Sequence, residues 1–150
     1  MTTSEALQKL RRYCTYQERS PFEVYRKLGL LGLHKDRHEE VMASLMEENF
    51  LDEYRFAKAY CQGKLNQKYW APYRISIGLR EHRIPKVTID KILNQIPEER
   101  VEENALYLAD RWFSSKTKEQ LAAAMQRRGY SFELINRMYQ RVEDDSKSSP

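Results

Sequence analysis

Glycine is scarce in this chain of 150 residues, at five, and Val, Ile and Thr together supply only 17. With so few β-branched residues against much Leu, Glu, Lys and Arg, a sheet protein is excluded and an all-α fold is expected. Cysteine is nearly missing. Cys14 and Cys61 stand in no metal-ligand spacing, which excludes a disulfide framework and a zinc module and suits a reducing, cytoplasmic setting. No apolar run nears the ~20 residues that cross a bilayer, so no membrane association is expected, and the opening MTTSEALQKLRRY lacks the apolar core of a signal peptide. Also missing are G-x-x-x-x-G-K-[ST], G-x-G-x-x-G and H-E-x-x-H, the loops and helix faces that hold phosphates or zinc. His34 and His38 share a helix face beside Glu39 and Glu40 but have no third ligand. The pairs Glu47–Glu48, Glu98–Glu99 and Glu102–Glu103 fall on polar faces or in first turns, where the helix dipole favours them. The chain is therefore read as a non-enzyme, with no catalytic residue, no cofactor and no metal.

What is present is helical periodicity, and it repeats. Ile89, Ile92, Leu93 and Ile96 follow i, i+3, i+4, i+7, and Ile135, Met138, Tyr139 and Val142 do the same 46 residues on. Ile75 and Leu79 map onto Leu121 and Met125 at that offset, while Pro21, Phe22, Val24 and Leu28 precede Pro72, Tyr73, Ile75 and Leu79 by 51. A period of that size with three helices per copy reads as tandem three-helix repeats over 1–49, 50–96 and 97–143, stacked so that neighbours share a core. The predicted helices span 4–16, 21–30, 36–49, 52–66, 72–82, 86–96, 98–113, 118–128 and 132–143. Ser20-Pro21-Phe22-Glu23 is a capping box with proline in the first turn, and Thr117 with Gln120 repeats it. Ala71 caps poorly, so Trp70 and Ile75 are read as a hydrophobic staple that fixes the entry to Pro72. Residues 144–150, DDSKSSP, are read as a disordered tail.

The formal net charge of +4 is unevenly spread. Residues 1–49 are neutral, 50–96 carry +5 and 97–150 carry −1. From Arg55 to Lys91 nine basic residues meet only Glu81 and Asp90. Such a stretch has phosphates or an acidic protein surface as its natural counterpart. Lys64, Lys68, Tyr69, Trp70, Arg74 and Arg80 bring cations and two aromatics together, as nucleic-acid contacts require. The staple accounts for Trp70 and leaves Tyr69 the freer of the two. Arg55, Lys58, Lys64, Lys68, Tyr69 and Arg74 are accordingly the expected partner-binding group.

With these helices in place, Asn49-Phe50-Leu51-Asp52-Glu53-Tyr54-Arg55-Phe56-Ala57 resembles the repeat-boundary signature "ylDDxrfA" of the RecX family. Arg19-Ser20-Pro21-Phe22-Glu23 with Leu28, Lys68-Tyr69-Trp70 through Ile75 and Leu79, and Arg128-Gly129-Tyr130 resemble other family stretches, over residues 5–142 in all. A departure stands at Tyr69-Trp70-Ala71-Pro72, where the family commonly has a glycine. The resemblance implies an elongated, curved array of three three-helix units seated in the groove of a RecA filament on single-stranded DNA. It implies a regulator that modulates, usually by inhibition, RecA ATP turnover, strand exchange and coprotease function in recombination, DNA repair and the SOS response, and that binds DNA weakly; the protein itself is expected to be a monomer. Two other readings stand beside it. A free helix-turn-helix protein would use 86–96 as reader, yet Ile89, Ile92, Leu93 and Ile96 turn that helix toward a core. A helical scaffold for another protein is the third.

Overall fold

The computed structural model describes residues 1–148, all of whose regular structure is helical. Nine α-helices occur among the described residues: α1 Thr3–Tyr16, α2 Pro21–Leu31, α3 His38–Glu47, α4 Glu53–Gly63, α5 Pro72–Glu81, α6 Lys86–Leu93, α7 Glu98–Trp112, α8 Lys118–Arg127 and α9 Phe132–Ser148. Among the described residues no helix is long and apolar enough to cross a membrane.

The helix starts follow from local chemistry. The Ser20 hydroxyl accepts from the Glu23 N–H at 3.2 Å, and the Glu23 carboxylate accepts from the Ser20 N–H at 3.0 Å. Thr117 and Gln120 form the same reciprocal pair at the start of α8. Each such cap is worth about 1 kcal/mol. α2 ends at Gly32, whose φ of 79° is the left-handed conformation that closes a helix. The expected helix over 36–49 opens instead with a single 3₁₀ turn at Lys35–Arg37 and stops at Glu47, and Asn49 takes a φ of 66°.

Close packing divides the chain into two compact units, at different points from the three expected repeats. One comprises Met1–Tyr60 with Leu79–Ile89; the other comprises Cys61–Gly78 with the chain from Asp90 on. In the first unit α1 contributes Ala6, Leu10 and Cys14, spaced four apart, to a core completed by Val24, Leu28, Val41, Met42 and Leu45. A buried leucine of this kind contributes about 1.5–3 kcal/mol. In the second unit Asn104, Ala105, Leu108 and Ala109 form the buried stripe of α7, whose small residues admit α9 with Ile135, Met138 and Val142.

The C-terminal tail expected over 144–150 requires correction. α9 runs on through Ser148, supported by i, i+4 side-chain pairs: Gln140 donates to Asp144, and Lys147 lies 3.7 Å from Glu143. Residues 149 and 150 of that expected tail lie outside the described residues.

Candidate functional site

The six expected contact residues fall in different units. Arg55 and Lys58 belong to the first, and Lys64, Lys68, Tyr69 and Arg74 to the second. Arg55 is occupied within its own unit. Its guanidinium donates to Glu18 at 2.6 Å, to the Asn49 side chain at 3.2 Å, and to the Asn49 and Phe50 carbonyls. These carbonyls are left over where α3 ends, so Arg55 secures the corner between α3 and α4. Lys58 is exposed on α4.

The second unit holds the denser cluster, built on an unexpected backbone. Sequence periodicity predicts an α-helix to residue 66, but α4 ends at Gly63 and a π turn covers Lys64–Lys68. The Tyr69 and Trp70 N–H groups both donate to the Lys64 carbonyl, and Tyr69 closes the turn with φ 57°. The widened turn is held from α7: buried Asn104 donates its amide to the Leu65 carbonyl at 3.0 Å, and Arg100 bridges Asn104 and Asn66. Wound this way, the turn brings Lys64 and Trp70 together. Trp70 lies half-buried between two cations, the Lys64 ammonium 4.8 Å from a ring centroid and the Arg74 guanidinium 4.1 Å away. Desolvated cation–π pairs of this kind are worth up to about 2 kcal/mol each.

Tyr69, expected to be the freer aromatic, is engaged. Its ring stacks on Tyr107 at 4.6 Å, and its carbonyl accepts from the Tyr130 hydroxyl at 2.7 Å. The Tyr107 phenol beside it raises the pKa of Tyr69. Lys68 is exposed beside it. The Arg128-Gly129-Tyr130 stretch is the other half of the construction. The Ala71 N–H donates to the Arg128 carbonyl at 2.8 Å, so the poor cap at Ala71 borrows an acceptor from the turn after α8. Gly129, at φ 94°, lies so close to Arg74 that a Cβ there would sit 2.7 Å from the Arg74 backbone nitrogen. Tyr130 is buried, and burial pushes its pKa up.

Sequence reasoning missed a second cation cluster in the same unit. Trp112 lies between the Lys116 ammonium at 5.3 Å and the Arg128 guanidinium at 4.7 Å. Its signal was present in the tryptophan and the Arg127-Arg128 pair, but the −1 sum over 97–150 concealed it. Elsewhere in the unit a groove of about 340 Å³ is lined by Glu103, Leu106, Tyr107, Asp110, Val142 and Asp145. Among the described residues no group of three or more His, Cys, Asp or Glu is placed to hold a metal ion.

Fold and surface together define an all-helical protein whose concentrated feature is a cation and aromatic surface suited to binding. Residues 52–93 match the family model described as RecX, second three-helix domain. A protein named Regulatory protein RecX in Vibrio campbellii is 26% identical over 125 residues, covering 80% of each chain. One of the same name in Lactobacillus johnsonii is 30% identical over 96 residues, which span 64% of this chain and 35% of that one. The chain thus spans about a third of the length of the latter relative. The crystal structure of RecX from Lactobacillus salivarius superposes with a TM-score of 0.79 at 20% identity, covering 94% of this chain and 96% of that one. The chain is similar to RecX proteins in sequence over residues 52–93 and beyond, and to a RecX structure in fold.

Proposed function

We propose that this chain is a non-catalytic regulator that engages RecA filaments on single-stranded DNA and inhibits RecA ATP turnover, strand exchange and coprotease activity. The observation that carries this reading is the match of residues 52–93 to the RecX second three-helix domain, together with similarity to proteins named regulatory protein RecX. The surface of the second unit supports it, because Lys64, Lys68 and Arg74 present positive charge of the kind a nucleoprotein filament attracts. The contact residues of this proposal are Lys64, Lys68 and Arg74 in the second unit, where Tyr69 closes the π turn that carries the two lysines, and Lys58 in the first. Arg55 acts through the corner it holds. Exposed lysines in such a group act mainly on the association rate, so the interaction is salt-sensitive. The protein works as a monomer in the cytoplasm.

The test is DNA-stimulated ATP hydrolysis by the RecA of the same organism with this protein titrated in. Turnover falls as the protein approaches the RecA concentration. Unchanged turnover and unchanged filament length at saturating amounts would sink the proposal.

A further inference from the structure

The second unit gathers carboxylates along the seam between α7 and α9. Where the two helices start, a cavity of about 260 Å³ is lined by Glu98, Glu102 and Glu133 beside Val101, Leu134 and Arg137. Where they end, the groove of about 340 Å³ over Leu106, Tyr107 and Val142 is rimmed by Glu103, Asp110 and Asp145. A neighbouring cavity of about 320 Å³ shares Asp110, Val142 and Asp145 with it and extends it to Phe113. Start meets start and end meets end, so α7 and α9 run side by side in one direction. Six carboxylates line the seam against one guanidinium, Arg137, which donates to Glu102 at 2.9 Å.

Helix electrostatics accounts for only part of this placement. Glu98 and Glu133 stand in the first turns of α7 and α9, where the dipole welcomes an acid. Asp110 and Asp145 stand in the last turns of the same helices, where the dipole repels one. Glu98, Glu103, Asp110 and Glu133 form no ion pair among the described residues. The floor between the acids is apolar and uncovered: Tyr107 is 46% exposed, and Leu106 and Phe113 are half-buried. A sequence that sets acids against two dipoles beside uncovered apolar side chains breaks its local rules there, as functional surfaces do.

We infer that the α7–α9 seam is a docking groove for a basic amphipathic helix of a partner protein. The lining follows α7 from Glu98 to Phe113, about 22 Å at the rise of an α-helix, which seats a helix of about 15 residues. The apolar stripe of that helix lies on Leu106, Tyr107 and Phe113, as amphipathic helices lie in grooves between other helices. Its lysines and arginines meet Glu103 and Asp110 on one rim and Asp145 on the other. Charge selects this occupant. Nucleic acid is repelled by the same carboxylates, and a neutral or acidic helix leaves them desolvated without a partner. The groove goes beyond the RecA reading, since its occupant needs neither a DNA strand nor the cations around Trp70.

The experiment measures fluorescence anisotropy of a labelled lysine–leucine peptide of that length, its leucines on one helical face, titrated with the full chain without RecA or DNA. The net charge of +4 repels such a peptide from the molecule as a whole, so binding reports a local site. Glu103 and Asp110 are exposed and make no hydrogen bond or ion pair among the described residues. Glu103→Gln with Asp110→Asn therefore leaves the fold intact, as circular dichroism verifies. This double variant binds the peptide about tenfold more weakly at low salt, and the difference closes as salt is raised. Glu40→Gln with Glu119→Gln removes two exposed carboxylates outside the seam and leaves affinity unchanged. A peptide of the same residues in scrambled order binds about tenfold more weakly, because its leucines share no face. Absent binding, equal affinity for the native chain and the seam variant, or equal affinity of the ordered and scrambled peptides would overturn the inference. So would self-association of the chain that the seam variant abolishes, which would give the groove to a second copy.

Discussion

Replacing Gly129 with alanine asks two things of the backbone at once. At φ 94° an L-residue is strained whatever surrounds it, at a cost of about 1–2 kcal/mol. In addition the new methyl would sit 2.7 Å from the Arg74 nitrogen and 2.9 Å from its Cβ. Neither atom is the far end of a flexible side chain, so the 128–130 turn must lift away from α5, at an overpacking cost of about 1–3 kcal/mol. The total is about 2–5 kcal/mol, and at about 3 kcal/mol a domain of this size loses roughly 10 °C in Tm. Gly32→Ala is the matched control. Gly32 has a comparable φ of 79° but nothing within 4 Å of its ideal Cβ, so only the strain remains. The unfolded chain gains the same restriction in both variants and cancels in the comparison. Both tryptophans, Trp70 and Trp112, lie in the second unit, so urea unfolding followed by their emission reports on Gly129→Ala directly. Far-UV circular dichroism follows both variants on one scale. Equal losses in the two variants would refute the docking of the 128–130 turn on Arg74.

Two further outcomes follow from the second unit. Asn104→Ala removes the side-chain donor to the Leu65 carbonyl in the π turn and destabilises the protein by about 1–3 kcal/mol in urea unfolding; a change below about 0.5 kcal/mol would show that the turn holds itself. Burial pushes the Cys61 thiol up to about 11. At pH 8 iodoacetamide therefore modifies it about a hundredfold more slowly than an exposed thiol. Because the unfolded chain's thiol ionises first, the stability that neutral Cys61 contributes is full below about pH 8.5 and falls as pH climbs toward 11. Rapid labelling of the folded protein at pH 8 would contradict this.

Legibility in the sequence followed the range of the interactions. Ser20 with Glu23 and Thr117 with Gln120 are settled within four residues, and each stands where the pattern placed it. The π turn was invisible because its carbonyl is satisfied by Asn104, 39 residues away. Tyr69 looked free for the same reason: its stacking partner Tyr107 and its hydroxyl donor Tyr130 both lie in the following segment. Arg55 was taken for a contact by charge alone, whereas the carbonyls it serves appear only once α3 ends at Glu47. The Trp112 cluster shows a different failure. Net charge summed along the chain averages acids and bases that the fold moves apart, so Arg128 and Lys116 vanished into a total near zero.

The most direct test of the central claim is binding to the filament itself. Labelled protein is titrated onto RecA assembled on single-stranded DNA with a non-hydrolysable ATP analogue, and in parallel onto the same strand naked, at physiological salt. The account predicts tighter binding to the filament than to the strand, with Lys64→Glu combined with Lys68→Glu weakening the filament interaction. Equal affinity for filament and naked strand would contradict it.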